Sequence, residues 1–190
     1  MELALPPEWD LTFPDDRPLT VDDYLRLPEG PPNFELIDGA IVVNPVPIPL
    51  HALVAGNLHF ALRSACPPHM VVFGSPVDWV ADEHDVLEPD VSVCERDKVG
   101  DKRLYLPPVL CAEILSPSNR RRDLTVKRDI YERGGVRAYW VIDPIGPRLL
   151  VHELDHDTGT YVERADLDGE ATFEATVPFP VTIDVAALIL

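Results

Sequence analysis

The sequence predicts one mixed α/β domain, of the α+β kind, and three observations carry that prediction. The chain has 190 residues with 46% hydrophobic and 26% charged side chains, which fits a single globular unit with a sizeable core. Asp38-Gly39 divides two β-rich runs, and that dipeptide is the strongest short hairpin signal in the chain. Further β-rich runs alternate with two stretches of helical periodicity, residues 50–65 and 119–133.

In chain order, residues 1–18 carry prolines and acids without periodicity and are expected to form an irregular arm, with residues 19–190 as the domain. Thr20 followed by Asp23 has the spacing of a capping box, so a short helix is expected over 21–27, ended by Pro28 and Gly30. Residues 34–37 and 40–43 form the N-terminal hairpin. Leu50, Val54, Leu58 and Leu62 then recur about every four residues, the period of a core-facing helix, until Pro67-Pro68 stops it. Short strands are expected at 70–73 and 77–80, with a polar turn over 81–85. Two more follow at 89–94 and 109–115, joined by a charged segment with no structure of its own. The helix over 119–133 ends at Gly134-Gly135. Strands at 138–142, 149–154, 160–164 and 171–176 complete the chain, with turns at 157–159 and 168–169.

Bulk features narrow the function. No run approaches the ~20 apolar residues of a spanning helix, and the first residues lack a signal peptide's basic and apolar regions, so a cytoplasmic protein is expected. Cys66, Cys94 and Cys111 are too far apart for a metal knuckle and lie in apolar or proline-rich surroundings, which makes them reduced packing residues. The net charge of -17 opposes a protein that coats nucleic acid. Against that, an acid cluster suits a cation, and positive charge is locally dense at Arg120, Arg121, Arg122, Lys127 and Arg128.

Strand pairing brings two acids together. If the runs 89–94 and 109–115 pair antiparallel with Cys94 opposite Val109, then Asp90 stands opposite Glu113, with Cβ atoms roughly 5 Å apart. The other face of the pair would carry Val91 and Val93 against Leu110, Ala112 and Ile114, wholly apolar and fit for a core. Opposed, partly desolvated acids need compensation. A divalent cation supplies it, since Mg²⁺ takes one or two carboxylates with waters and phosphate oxygens. A structural salt bridge from Arg120 or Lys127 is the competing reading.

On the next helix Asp123, Lys127 and Tyr131 share a stripe, with Arg120 one turn earlier. Lys127 could reach the acid pair and hold a water or a phosphate oxygen, or it could be one half of a solvated Asp–Lys pair.

At these residues the chain resembles the Uma2 family of restriction-endonuclease-like proteins, a branch of the PD-(D/E)XK nuclease superfamily. The resemblance runs from about Thr20 to Leu154. It covers Phe-Glu-Leu-Ile-Asp-Gly at 34–39, the helix start at His51, Glu-Pro-Asp-Val at 88–91, and Ala-Glu-Ile-Leu-Ser-Pro-Ser at 112–118. It continues from Arg122-Asp123 through Lys127 and Tyr131 to Tyr-Trp-Val-Ile-Asp at 139–143.

The resemblance implies a restriction-endonuclease-like mixed central sheet flanked by helices, with Mg²⁺ or Mn²⁺ held by Asp90 and Glu113. It also implies hydrolysis of phosphodiester bonds in DNA. The superfamily lysine normally follows the strand acid by two residues; Leu115 stands there, and Lys127 is the natural substitute. Glu35 lies in a family motif and is either a further carboxylate of the site or an outward residue on an edge strand. His51 is a ligand candidate against the commoner reading of a helix cap or a satisfied histidine.

Two rival functions share the scaffold. One is a metal-binding protein directed at small molecules. The other is a catalytically silent module, a homodimer for instance, that uses Val185, Leu188, Ile189 and Leu190 as its contact surface; the competing reading of those residues is that they close the core.

Overall fold

Asp38 and Gly39 both adopt left-handed backbone, φ 48° and 73°, the geometry that lets a two-residue turn follow the twist of its strands. They join β1 (Asn33–Ile37) to β2 (Ala40–Asn44) in antiparallel register. A Cβ on Gly39 would lie 2.5 Å from that of Pro18, so the incoming chain also requires glycine there. The computed structural model describes residues 12–28, 30–117 and 119–189; residues 1–11 of the predicted arm lie outside the described residues.

Thr20 and Asp23 form the expected capping box, but α1 is one turn, Val21–Tyr24, rather than a helix to residue 27. β1 also pairs with β5 (Asp85–Leu87), which pairs with β4 (Trp79–Asp82), giving the order β2-β1-β5-β4. The strand expected at 77–80 therefore starts two residues later, and the expected polar turn runs into β5.

The main sheet has six strands in the order β10-β9-β8-β7-β6-β3. These are β3 (Met70–Phe73), β6 (Val91–Glu95), β7 (Leu110–Ile114), β8 (Ala138–Asp143), β9 (Arg148–Leu154) and β10 (Tyr161–Asp168). Only β7 and β8 are parallel, so the sheet is mixed, and a helical crossover is what a parallel neighbour demands. That crossover is α3 (Arg120–Arg122), a π-helical turn (Asp123–Lys127) and α4 (Arg128–Arg133). A continuous α-helix was the expectation. Tyr139 from β8 donates its hydroxyl to the Asp123 carbonyl at 2.9 Å, and such an insertion into the backbone ladder is a recognised cause of local rewinding.

One face of this sheet is covered by α2 (Pro49–Ala65) through Val54, Leu58 and Leu62, and by the hairpin of β11 (Thr172–Ala175) and β12 (Val181–Asp184). β12 was not predicted. Val185 and Leu188 are buried in the same cluster, and Ile189 packs against it, so this segment closes the core instead of offering a contact face. Leu190 lies outside the described residues. The segment expected to be featureless, 95–108, contains a 3₁₀ turn at Arg96–Lys98 and the buried Leu104 bridged to Trp79. No described helix is long and apolar enough to cross a membrane.

Candidate active site

β6 and β7 pair through Val91 with Ala112, Ser92 with Cys111 and Val93 with Leu110, the register derived from the sequence. The apolar face also holds, since Val91, Val93, Leu110, Ala112 and Ile114 all lie in the core under α2. Because side chains alternate along a strand, Glu113 between Ala112 and Ile114 must point to the other face. There it is 2% exposed.

Asp90 sits one residue before β6, off the ladder. Its Oδ2 accepts the Ile114 backbone N–H at 2.7 Å and lies 3.1 Å from His51 Nε2. Among the described residues both contacts fall on the same oxygen. His51 is thus neither helix cap nor isolated; it braces Asp90. Burial works against the charged imidazole, but the hydrogen bond and charge of Asp90 outweigh it and raise the His51 pKa.

Glu113 Oε1 accepts from Lys127 Nζ at 2.9 Å and from Tyr131 Oη at 2.7 Å. Lys127 also meets Glu35 Oε1 at 2.8 Å and stands 3.9 Å from Asp123 Oδ1. Glu35 is fully buried beneath the site, so its outward alternative is excluded; the same Oε1 accepts the Glu88 backbone N–H at 2.9 Å. Lys127 is 3% exposed, which excludes the solvated Asp–Lys pair.

The stripe predicted on this helix therefore exists, and its members Asp123, Lys127 and Tyr131 all face inward. Arg120 at its head instead pairs with Asp143. Of the remaining basic cluster, Arg128 is committed to Asp129 and Glu132, while Arg122 donates to Asn44 at 3.0 Å. Arg121 is exposed and makes no ion pair among the described residues, so only part of the cluster is free.

Asp90, Glu113, Lys127, His51 and Arg122 line one cavity of about 320 Å³. Its outer wall is apolar, built from the loop between β2 and α2, with Val46 and Ile48 exposed. The same cavity contains Glu88, to which no role was given from the sequence. The signal was present: a second acid two residues before Asp90, after the apolar Val86-Leu87.

Charge in this pocket does not balance. Glu88, Asp90 and Glu113 line it with Lys127 and Arg122, and Glu35 and Asp123 lie against Lys127 from beneath. Burial raises Glu113 well above the usual carboxylate range despite the pull of Lys127. Burial, reinforced by Asp78 and Glu35, pushes Glu88 up to about 8. Burial lifts Asp123 to about 6, partly offset by Lys127. Burial opposes the charge of Lys127, yet Glu113, Glu35 and Asp123 hold it above its ordinary value. The lysine therefore stays an ammonium, and burial keeps the carboxyls of Glu113, Glu88 and Asp123 above their ordinary values despite it.

Four buried carboxylate oxygens, Glu35 Oε2, Glu88 Oε2 and both of Asp123, lack a hydrogen-bond partner among the described residues. A site so starved of positive charge fits a divalent cation. Among the described residues no three His, Cys, Asp or Glu side chains gather into a ready ligand set.

A family model described as "Uma2: Putative restriction endonuclease" matches residues 21–187. Among solved structures, "a putative nuclease belonging to DUF820 from Anabaena variabilis ATCC 29413" is similar with a TM-score of 0.70 and 22% identity. The likeness covers 90% of this chain and 98% of that one. At that identity the likeness shows the fold, the mixed sheet with flanking helices. No curated protein matches the chain.

Proposed function

Because this chain belongs to the Uma2 family, we propose that it is a divalent-metal-dependent phosphodiesterase that cleaves DNA, with Asp90 and Glu113 as the metal-binding carboxylates. The observation that carries the reading is the pairing of these two acids at one cavity, each tethered through a single oxygen. When bound, Mg²⁺ or Mn²⁺ supplies a water of lowered pKa and neutralises charge on the phosphate.

The chain's own residues set the geometry. The Ile114 N–H and His51 fix the Asp90 carboxylate, while Tyr131 and Lys127 fix Glu113. Lys127, held from below by Glu35, brings a permanent positive charge to the cavity wall, where it orients a water or a non-bridging phosphate oxygen. This position replaces the superfamily lysine lost at Leu115, which is buried among apolar residues.

The test incubates purified protein with supercoiled DNA, single-stranded DNA and RNA under Mg²⁺, Mn²⁺ or EDTA. Metal-dependent cleavage is expected, with Glu113→Gln and Asp90→Asn each slower by about a hundredfold or more. Cleavage that survives EDTA, or wild-type rates in Glu113→Gln, would overturn the reading. The charge of -17 and the committed arginines favour a second reading, a small phosphodiester substrate on the same ion site, which the same assay separates by its products.

A further inference from the structure

A second cavity of about 500 Å³ abuts the first, and Asn33, Pro76 and Glu88 belong to the walls of both. It adds an exposed cation, whereas those of the catalytic cavity, Lys127 and Arg122, are hydrogen-bonded to Glu113 and Asn44. Lys102 lines it, is exposed, and makes no ion pair among the described residues. Arg103, beside it, is fixed rather than free: its Nε donates to Asp78 Oδ2 at 2.6 Å, and Asp78 Oδ1 accepts from the Tyr24 hydroxyl at 3.1 Å. The same hydroxyl lies 3.1 Å from the Phe34 carbonyl on β1, so its one proton is shared between the two acceptors. This network pins the Arg103 guanidinium at the cavity with its remaining N–H groups unassigned, next to the apolar Leu27 and Val77.

We infer that this neighbouring cavity is a substrate subsite that takes the nucleotide unit next to the scissile phosphate, with Lys102 and Arg103 on its backbone phosphate, so that the substrate is a single strand lying across both cavities. The inference rests on the phosphodiesterase reading above and names its substrate class.

Three observations support a strand over a smaller or stiffer ligand. Two cavities that share a wall offer room for more than one nucleotide unit, so a lone mononucleotide would leave one of them unused. The catalytic cavity is dominated by acids, so a polyanion needs its positive contacts elsewhere, and Lys102 with Arg103 lies just across Glu88. Finally, Glu113 and Lys127 are 2% and 3% exposed at the bottom of a concave site. A flexible strand follows such a concave surface more readily than a stiff duplex does. Single-strand grooves are built in this way, from cations that track the backbone beside apolar surface.

The experiment measures binding by fluorescence anisotropy, with Ca²⁺ present, for a short labelled single strand of DNA, the same sequence as RNA, and a blunt duplex. Wild type should bind the single strands more tightly than the duplex. Lys102→Ala should weaken single-strand binding about tenfold and lower the salt slope by about 0.7, the loss of one phosphate contact, and Lys102→Arg should restore both. No single-strand binding by wild type, tighter duplex binding, or an unchanged slope in Lys102→Ala would each overturn the subsite.

A parallel arm measures kcat/KM with Mg²⁺ on the labelled strand and on bis(p-nitrophenyl) phosphate, a diester that has no second phosphate for Lys102 to hold. Lys102→Ala should lose about tenfold more on the strand than on the small diester. If wild type hydrolyses neither substrate, the phosphodiesterase reading fails, and the binding arm still judges the subsite on its own.

Discussion

The two faces of β7 are built from neighbouring residues and solve opposite problems. Leu110, Ala112 and Ile114 look into an apolar core beneath α2, where burial alone stabilises. Glu113, between two of them, looks into a pocket where three carboxylates meet one ammonium. The first face is satisfied by the chain itself. The second has fewer cations than carboxylates, and four carboxylate oxygens around it have no hydrogen-bond partner among the described residues. A strand this apolar would be easier to bury with a leucine at 113, so the acid points to function rather than stability.

Removing the only ammonium is the hardest blow to the charged face. Lys127→Ala should cost about 3–5 kcal/mol at pH 8 in urea unfolding, because it leaves Glu113 and Glu35 buried and uncompensated. The loss should be smaller at pH 5 than at pH 8, because burial holds the Glu113 carboxyl above the usual carboxylate range and its protonated form has less need of the ammonium. A loss below about 1 kcal/mol at both pH values would erase the contrast between the faces.

Metal binding should come next in size. Mg²⁺ at a hundred times its Kd should stabilise wild type by about 2.7 kcal/mol, read as a rise in Tm, and Asp90→Asn should remove most of that increment. Equal shifts in both proteins would move the ion to other acids. The apolar face sharpens the comparison: Ile114→Val should cost about 0.5–1.5 kcal/mol and leave the metal increment as it is in wild type.

The smallest effect is the pH dependence of Glu88. Its folded pKa, about 8, lies above the ordinary 4.5, so the folded state keeps a proton that the unfolded chain releases. Stability from this group is then full below about pH 4.5 and lost as pH rises to about 8. Glu88→Gln should flatten that slope and stabilise the protein at pH 8 by on the order of 1 kcal/mol, after allowance for its partial exposure. An unchanged slope in urea unfolding would assign it to other acids.

Local signals made much of this legible from the sequence. The hairpin at Asp38-Gly39, the periodicity of α2 and the register of β6 on β7 each depend on residues close in the chain, and they brought Asp90 and Glu113 to one site. What escaped depends on distant contacts. β5 has three residues and meets β1 through one pair, Leu36 with Val86, so no run announces it. β12 follows Pro178 and Pro180, which read as loop. The burial of Glu35 and Lys127 could not be read at all, since they lie far apart in the chain and are hidden only when β1 and the crossover helix meet. Asp90 was placed on the ladder, while its carboxylate takes the Ile114 N–H from just beyond it.

The π-helical turn has a consequence for motion. Asp123–Lys127 carries both the ammonium and the unsatisfied Asp123 carboxylate, in a backbone winding that α-helices adopt only in single turns. Local opening begins where the ladder is least regular, so amide protons of this turn should exchange with solvent deuterium faster than those of α4, its continuation. Each opening withdraws Lys127 from Glu113 and momentarily bares the acids. Filling the pocket with Mg²⁺ would then leave a mark in the exchange pattern of a helix as well as in the pocket itself, because the opened form is the one the ion does not bind.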